Sequence, residues 1–322
     1  MSAPAVPDER RQTRKSGGAR KAVTIGLAVF GVGLAAFLLY RTLSRYTWDQ
    51  LKESVAAVPT GHLLAALGFA AASYLCLTFF DYFASRYAGK PMPWRRAAHA
   101  SFISLSLGHN IGLAALSSGA IRYRFYSRWG MNAEEVTRHV LFCGATVGLG
   151  LVSLAGVVLA AWPASATPML GMGEGAARGL GLVALAACGL WVACAAFFRA
   201  PLRIRAWSFR FPPLRLALIQ IPLGFVNFAL VAACLHQALS ASAQVGYAAV
   251  VSAYVAAQAA TLVSHVPGGL GVIETVVAYL IPGGELIGAL LVFRFVYFLL
   301  PLALGLVAFL VTEAWWRRGK AA

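Results

Sequence analysis

Long apolar runs constrain this chain more than any other feature of its sequence. A transmembrane helix needs about 20 consecutive, mostly apolar residues, and the first such run, Ala22 to Tyr40, has 19. Six further runs follow, at residues 62–87, 139–162, 178–198, 214–239, 244–264 and 286–311. No alternating strand pattern competes with them. The sequence therefore predicts an all-α, polytopic bundle of transmembrane helices, in which the first run is an uncleaved anchor.

Composition excludes an ordinary soluble protein. Hydrophobic residues make up 60% of the 322 residues and charged residues only 12%, whereas soluble domains are about half apolar and a quarter charged. The net charge of +16 does not indicate nucleic-acid binding, because the basic residues form short clusters between the apolar runs. Such clusters are typical of membrane-protein loops that face the cytoplasm.

The positions of these clusters predict the topology. If residues 97–126 enter the membrane and return, 22 of the 27 basic residues lie on one side. A full crossing there would place the basic cluster 122–138 outside, against the positive-inside bias. We therefore expect about eight crossings and both termini in the cytoplasm. The expected parts are a basic tail at 1–21, a single transmembrane domain at 22–312 and a short basic tail at 313–322.

Two segments are interrupted in similar ways. The first, 97–126, contains Gly108-His109-Asn110 and later Ser117-Ser118-Gly119, and the second, 267–281, opens with Pro267-Gly268-Gly269-Leu270-Gly271. A His-x-x-Gly precedes Gly-Ala-Ile-Arg in the first and Gly-Val-Ile-Glu in the second, which suggests a diverged internal repeat. Paired broken segments point to a substrate site at the membrane midplane, with broken-helix glycines at Gly112, Gly119, Gly268, Gly269 and Gly271.

Charged residues inside apolar runs are the leading site candidates, since each costs about 2.5–3.5 kcal/mol at mid-helix. These residues are Asp81, Arg122, Glu274 and Arg294. We expect Arg122 and Glu274 to meet inside the bundle, with the other two nearby. The two histidines beside the breaks, His109 and His265, complete the predicted substrate site. An arginine fork suits a lipid phosphate because it holds two oxygens at once.

Structural alternatives stand beside this hypothesis. Arg122, Arg124 and Arg128 alternate with aromatic residues, a pattern that also anchors loops at the headgroup layer, and for Arg124 and Arg128 that interpretation is favoured. Arg294 and Glu274 could form a purely structural ion pair. The basic loop 199–215 could hold anionic lipid at the inner surface or dock a soluble partner, and simple determination of topology is the favoured interpretation.

Other chemistry has little support in the sequence. The five cysteines lie in apolar runs at irregular spacing, so neither a disulfide framework nor a metal site is predicted. A Walker-type loop and a nucleophile elbow are both missing from the motifs of the chain. The sequence predicts no cofactor and no metal.

Two motifs carry a family resemblance. The first is Gly112-Leu113 followed by Leu116-Ser-Ser-Gly-Ala-Ile-Arg122-Tyr-Arg-Phe-Tyr126 and Gly130, and the second is His265-Val-Pro-Gly-Gly-Leu-Gly-Val-Ile-Glu274. Together they resemble the transmembrane region of bacterial phosphatidylglycerol lysyltransferases, the multiple peptide resistance factors, and their stand-alone YbhN-like relatives. The resemblance implies a lipid-translocation module in which Asp81, Arg122 and Glu274 matter. The sequence lacks the soluble acyltransferase domain of those synthetases, so synthesis of lysyl-lipid is not expected.

The leading functional hypothesis is translocation of an anionic or aminoacylated phospholipid of the phosphatidylglycerol type. One alternative is a membrane-embedded headgroup transferase, with Asp81, Glu274 or a histidine as general base. Another is a non-transporting partner of a lipid or cell-envelope synthase.

Overall fold

Helices account for almost all of the chain that the structure describes. In a computed structural model, the described residues are 48–111, 114–167, 171–198, 202–204, 207–264, 266–281 and 286–318. Their helices, numbered in chain order, are α1 (Trp48–Ala57), α2 (Thr60–Tyr87), α3 (Trp94–Ile111), α4 (Ala114–Arg128), α5 (Ala133–Ala161), α6 (Glu174–Phe197), α7 (Leu214–Ser240), α8 (Tyr247–Ser264), α9 (Val272–Leu280) and α10 (Leu286–Arg318). Two short 3₁₀ turns lie at Pro163–Ser165 and Pro267–Gly269.

Six of these helices are long and apolar enough to cross a membrane, namely α2, α5, α6, α7, α8 and α10. They coincide with six of the predicted runs, and the polytopic helical fold is thereby confirmed, in rough agreement with the expected eight crossings. The remaining predicted run, Ala22 to Tyr40, which is the first in the chain, lies outside the described residues. The tail 1–21, Gly112 and His265 lie outside them as well.

Two local features differ from the sequence prediction. The basic loop 199–215 contains two three-residue strands, β1 (Leu202–Ile204) and β2 (Trp207–Phe209), which pair antiparallel. Helix α10 continues to Arg318, so the first residues of the expected tail 313–322 extend the last helix.

Contacts near the ends of the helices define two ends of the bundle. At the basic end, the Tyr87 hydroxyl donates to the Arg210 carbonyl, and Lys90 lies beside Gly130. At the opposite end, His62 hydrogen-bonds Gln237 at 2.9 Å. Helix α2 joins the two ends over 28 residues, a length of about 42 Å, which is enough to cross the hydrocarbon core.

The interrupted segment 97–126 forms a helical hairpin, which we call the first hairpin (α3 and α4). It starts and finishes at the basic end and does not cross. Its helices pack closely, since a Cβ atom on Gly108 would lie only 2.7 Å from Cβ of Ser118. The predicted breaks at Gly108-His109-Asn110 and at Ser117-Ser118-Gly119 are wrong, because these residues lie within the continuous helices α3 and α4.

Helices α8 and α9 form a second hairpin, which enters from the opposite end. Ser252 of α8 hydrogen-bonds Ser165 there at 2.8 Å, and the 3₁₀ turn Pro267–Gly269 connects the two helices. The turn meets the end of α3, since a Cβ atom on Gly268 would lie 3.6 Å from the His109 carbonyl oxygen and 3.8 Å from Cα of Asn110. The two hairpins therefore enter from opposite ends and meet inside the bundle.

The spanning helices α5 and α7 cross at two glycines. A Cβ atom on Gly150 would lie 2.4 Å from the carbonyl carbon of Gly224. One turn away, the Gln220 side chain donates to the Phe142 carbonyl at 3.3 Å and to the Thr146 hydroxyl at 3.1 Å. Small residues let the backbones approach, and a polar side chain then joins the helices, a common arrangement in membranes.

We predict that Gly150→Ala destabilises the protein by about 1–3 kcal/mol, because the added methyl group has no space between α5 and α7. Gly148→Ala is the matched control, since a Cβ atom there meets open space and alanine favours the helix. Thermal unfolding in detergent measures both variants, and equal midpoints would contradict this packing.

Candidate functional site

The first site residue from the sequence, Asp81, lies inside α2 and pairs with Arg122 of the first hairpin. Arg122 Nε donates to Asp81 Oδ1 and Arg122 Nη2 to Oδ2, both at 2.8 Å. Arg122 Nη1 also donates to the Ser118 hydroxyl at 3.0 Å, one turn earlier on α4. The pair is almost fully buried, with the Asp81 side chain 0% and the Arg122 side chain 4% exposed.

Two further side chains form hydrogen bonds with the Asp81 carboxylate. The Tyr126 hydroxyl donates to Oδ1 at 3.1 Å, and His139 Nε2 of α5 lies 2.9 Å from the same oxygen. Sequence analysis missed both partners. Tyr126 follows Arg122 by four residues and so shares its helix face, a usable signal, whereas nothing local places His139 beside Asp81. The carboxylate thus joins α2, α4 and α5 at one point.

This cluster does not fit a metal ion. Asp81, His139 and Cys143 bring possible ligand atoms within 4.8 Å of one another. Both carboxylate oxygens, however, already accept hydrogen bonds from the Arg122 guanidinium. A fixed positive charge at 2.8 Å opposes a bound cation.

The second pair joins Glu274 of α9 to Arg294 of α10. Arg294 Nε donates to Glu274 Oε1 at 2.5 Å, and the Gly271 amide donates to Glu274 Oε2 at 2.9 Å. The amide contact is half of a capping box, in which a Glu at the third helical position reaches back to the start of its helix. The Glu274 side chain is 21% exposed and the Arg294 side chain 4%.

Arg294 also fixes the turn of the second hairpin. Its Nη1 donates to the Gly268 carbonyl at 3.0 Å and its Nη2 to the Gly269 carbonyl at 3.3 Å. Gly268 and Gly269 have φ values of +61° and +59°, a left-handed backbone that favours glycine. The predicted break at these glycines is therefore a specific turn whose carbonyls point at one guanidinium.

The structure corrects the expected pairing of Arg122 with Glu274. Within the described chain, each hairpin charge pairs instead with a spanning helix, Arg122 with Asp81 of α2 and Glu274 with Arg294 of α10. The alternative interpretation of Arg294 as the ion-pair partner of Glu274 is confirmed. Of the predicted glycines, Gly119 lies within helix α4, where a Cβ atom on it would lie 3.7 Å from the Val140 side chain, and it takes no part in a break.

The hairpins meet at a small polar region, which we call the tip junction: His109, Asn110, Gly268, Gly269 and Arg294. Asn110 Nδ2 donates to the Ser106 carbonyl at 2.9 Å and lies 3.5 Å from the Phe298 carbonyl. Phe298 belongs to a π-helical segment of α10 that follows Arg294 directly. Gly268 faces the backbone of His109, whereas the His109 ring lies beside that of Tyr74. The buried Nδ1 atom of that ring has no hydrogen-bond partner among the described residues.

A third ion cluster holds the first hairpin to α10. Arg124 Nε and Nη2 contact the Glu313 carboxylate at 2.7 and 2.5 Å, and Arg128 Nη1 lies 3.4 Å from it. The Arg128 guanidinium also lies 4.1 Å from the centre of the Trp316 ring. Sequence analysis expected headgroup anchors at Arg124 and Arg128 and missed Glu313, which lies 189 positions beyond Arg124.

Comparisons with known proteins agree with this architecture. The family model for the lysylphosphatidylglycerol synthase transmembrane region matches residues 23–305. Inner membrane protein YbhN of Escherichia coli K12 is 29% identical over 285 residues, covering 86% of this chain and 88% of that protein. The uncharacterized protein slr0712 of Synechocystis is 29% identical over 282 residues, covering 86% of this chain and 87% of that protein.

We predict that Asp81→Asn destabilises the protein by about 3–5 kcal/mol, because it leaves the buried Arg122 charge without its counter-ion. Glu134→Gln is the matched control. It removes the partner of Arg138 in an exposed pair, which contributes less than about 1 kcal/mol. Thermal unfolding in detergent compares the two variants, and similar losses would show that the Asp81 pair does not support the fold.

Proposed function

This chain belongs to the lysylphosphatidylglycerol synthase transmembrane-region family, and from that membership and the geometry of its hairpins we propose that it translocates a lipid. The headgroup passes between the leaflets through the tip junction, while the acyl chains stay in the bilayer. The lipid is an anionic or aminoacylated phospholipid of the phosphatidylglycerol type. The membrane is the bacterial inner membrane, with the basic end of the bundle in the cytoplasm.

The observation that carries this proposal is the meeting of two hairpins from opposite ends of the bundle. Gly268 of the second hairpin lies against His109 and Asn110 of the first, so the non-helical turn is inside the bundle. Irregular backbone at such depth is tolerated where protein or a polar cavity surrounds it. Opposed broken helices that meet at the midplane are a recurrent design of substrate sites in transporters.

The charges beside the junction suit a headgroup more than a hydrocarbon chain. Moving a charged headgroup through hydrocarbon is unfavourable, and a path lined by guanidinium groups lowers that barrier because each can hold two phosphate oxygens. Arg294 lies at the junction itself, and Arg122 fixes the hairpin that forms the other side.

A headgroup transferase has less support. Such an enzyme needs a general base. Asp81 and Glu274 each already form an ion pair with an arginine, which leaves a histidine for that role. A role as a non-transporting partner of a lipid synthase remains as an outcome of the experiment.

The experiment follows fluorescent phosphatidylglycerol in liposomes that contain the purified protein. We expect the outer-leaflet fraction to equilibrate faster than in empty liposomes. Arg122→Lys keeps the charge but loses the two-point contact with Asp81, and we expect it to slow movement about tenfold, an effect of about 1.4 kcal/mol.

Arg138→Lys, at an exposed position, is the control and should match the wild type. Movement no faster than in empty liposomes, for phosphatidylglycerol and for its aminoacylated form, would contradict translocation and favour the partner role.

A further inference from the structure

The two ion pairs beside the hairpins differ in how much stability the protein would lose if each pair separated. The Asp81 carboxylate accepts from Arg122 twice, from Tyr126 and from His139. Its side chain is fully buried. Opening this pair would leave a charge unsolvated among three helices, and breaking such a pair is strongly destabilising.

The Glu274 carboxylate has fewer hydrogen bonds and is more exposed. It accepts hydrogen bonds from the Arg294 Nε group and the Gly271 amide. The side chain is 21% exposed, so it can rotate away from Arg294 while it stays at the start of α9. The Gly271 amide remains available to its second oxygen in that movement, since Gly271 caps α9 and Glu274 is the third residue of the helix.

Arg294 cannot remain alone when Glu274 leaves. Its side chain is 4% exposed, and a buried cation without a counter-ion is unfavourable. The bonds from Nη1 to Gly268 and from Nη2 to Gly269 hold the guanidinium in place. An incoming group must therefore bring a negative charge to this fixed cation.

The position of Arg294 brings such a group to the tip junction. The Gly268 carbonyl that Arg294 holds belongs to the residue in contact with His109 and Asn110. A phosphodiester fits this setting, because it carries one negative charge and several acceptor oxygens.

We infer that Arg294 is the residue that binds the lipid phosphate, and that the phosphate takes the place of Glu274 on its guanidinium. The Asp81–Arg122 pair stays closed and acts as a positioning pair for the first hairpin. This inference rests on the proposed function and deepens it. The recognised feature is the phosphodiester that anionic and aminoacylated phospholipids share, so a glycolipid without phosphate does not use the site.

Glu274→Gln tests the exchange while the second hairpin stays intact. Glutamine keeps an acceptor for the Gly271 amide, as capping boxes allow, but no longer competes for Arg294. Binding of phosphatidylglycerol to the full-length protein in detergent is measured by native mass spectrometry, beside a diacylglycerol glycolipid without phosphate. We expect affinity for phosphatidylglycerol to rise about fivefold, the factor that a partly exposed ion pair represents. Affinity for the glycolipid should not change.

Two further variants provide a control and a second test. Glu313→Gln removes the carboxylate of another arginine pair, that of Arg124, and should leave phosphatidylglycerol binding unchanged. Arg294→Lys loses the fork and should weaken binding about tenfold, the factor for one charge-assisted hydrogen bond.

Phosphatidylglycerol affinity within twofold of wild type in both Glu274→Gln and Arg294→Lys would overturn the inference. If the wild type still moves lipid in liposomes, the proposed function survives that result. Tighter binding by Glu274→Gln without any lipid movement would instead support the phosphate site and contradict translocation.

Discussion

A buried charge inside a membrane protein must have a counter-charge, and this constraint determines how the first hairpin is held. Asp81 and Arg122 satisfy each other with two hydrogen bonds, and Tyr126 and His139 use the rest of the carboxylate. Because the four residues come from α2, α4 and α5, one charge pair fixes the hairpin against two spanning helices. The Glu313 cluster then ties the same hairpin to α10.

The same constraint applies to backbone groups. The turn of the second hairpin leaves carbonyls outside any helix, and Arg294 binds those of Gly268 and Gly269. The π segment of α10 frees carbonyls as well, and the Tyr74 hydroxyl donates to that of Tyr297 at 3.3 Å. With no water in hydrocarbon, such groups need protein partners. The polar residues at the centre thus make the broken helices possible.

Sequence reasoning predicted the parts of this arrangement better than their pairing. Apolar length identified the spanning helices, because hydrophobic thickness is a direct constraint on sequence. The cost of burying charge identified Asp81, Arg122, Glu274 and Arg294 as special. Which arginine pairs with which carboxylate depends on tertiary contacts between distant segments. No periodic pattern in the sequence predicts such contacts. For the same reason, sequence reasoning did not identify His139 and Glu313 as partners. Gly119 shows a different point, that a glycine within a helical pattern need not break the helix.

The central claim is that a headgroup passes where the two hairpins meet, and a reversible cross-link tests it most directly. Cysteines at Asn110 and Gly268 would lie close to each other, since the Gly268 Cβ position is 3.8 Å from Asn110 Cα. Because Gly268 has a φ of +61°, the reduced double variant is first shown to move lipid. The account predicts that oxidation stops phosphatidylglycerol movement in liposomes and that reduction restores it in the same sample. Equal movement in the oxidised and reduced states, with the cross-link verified, would contradict it.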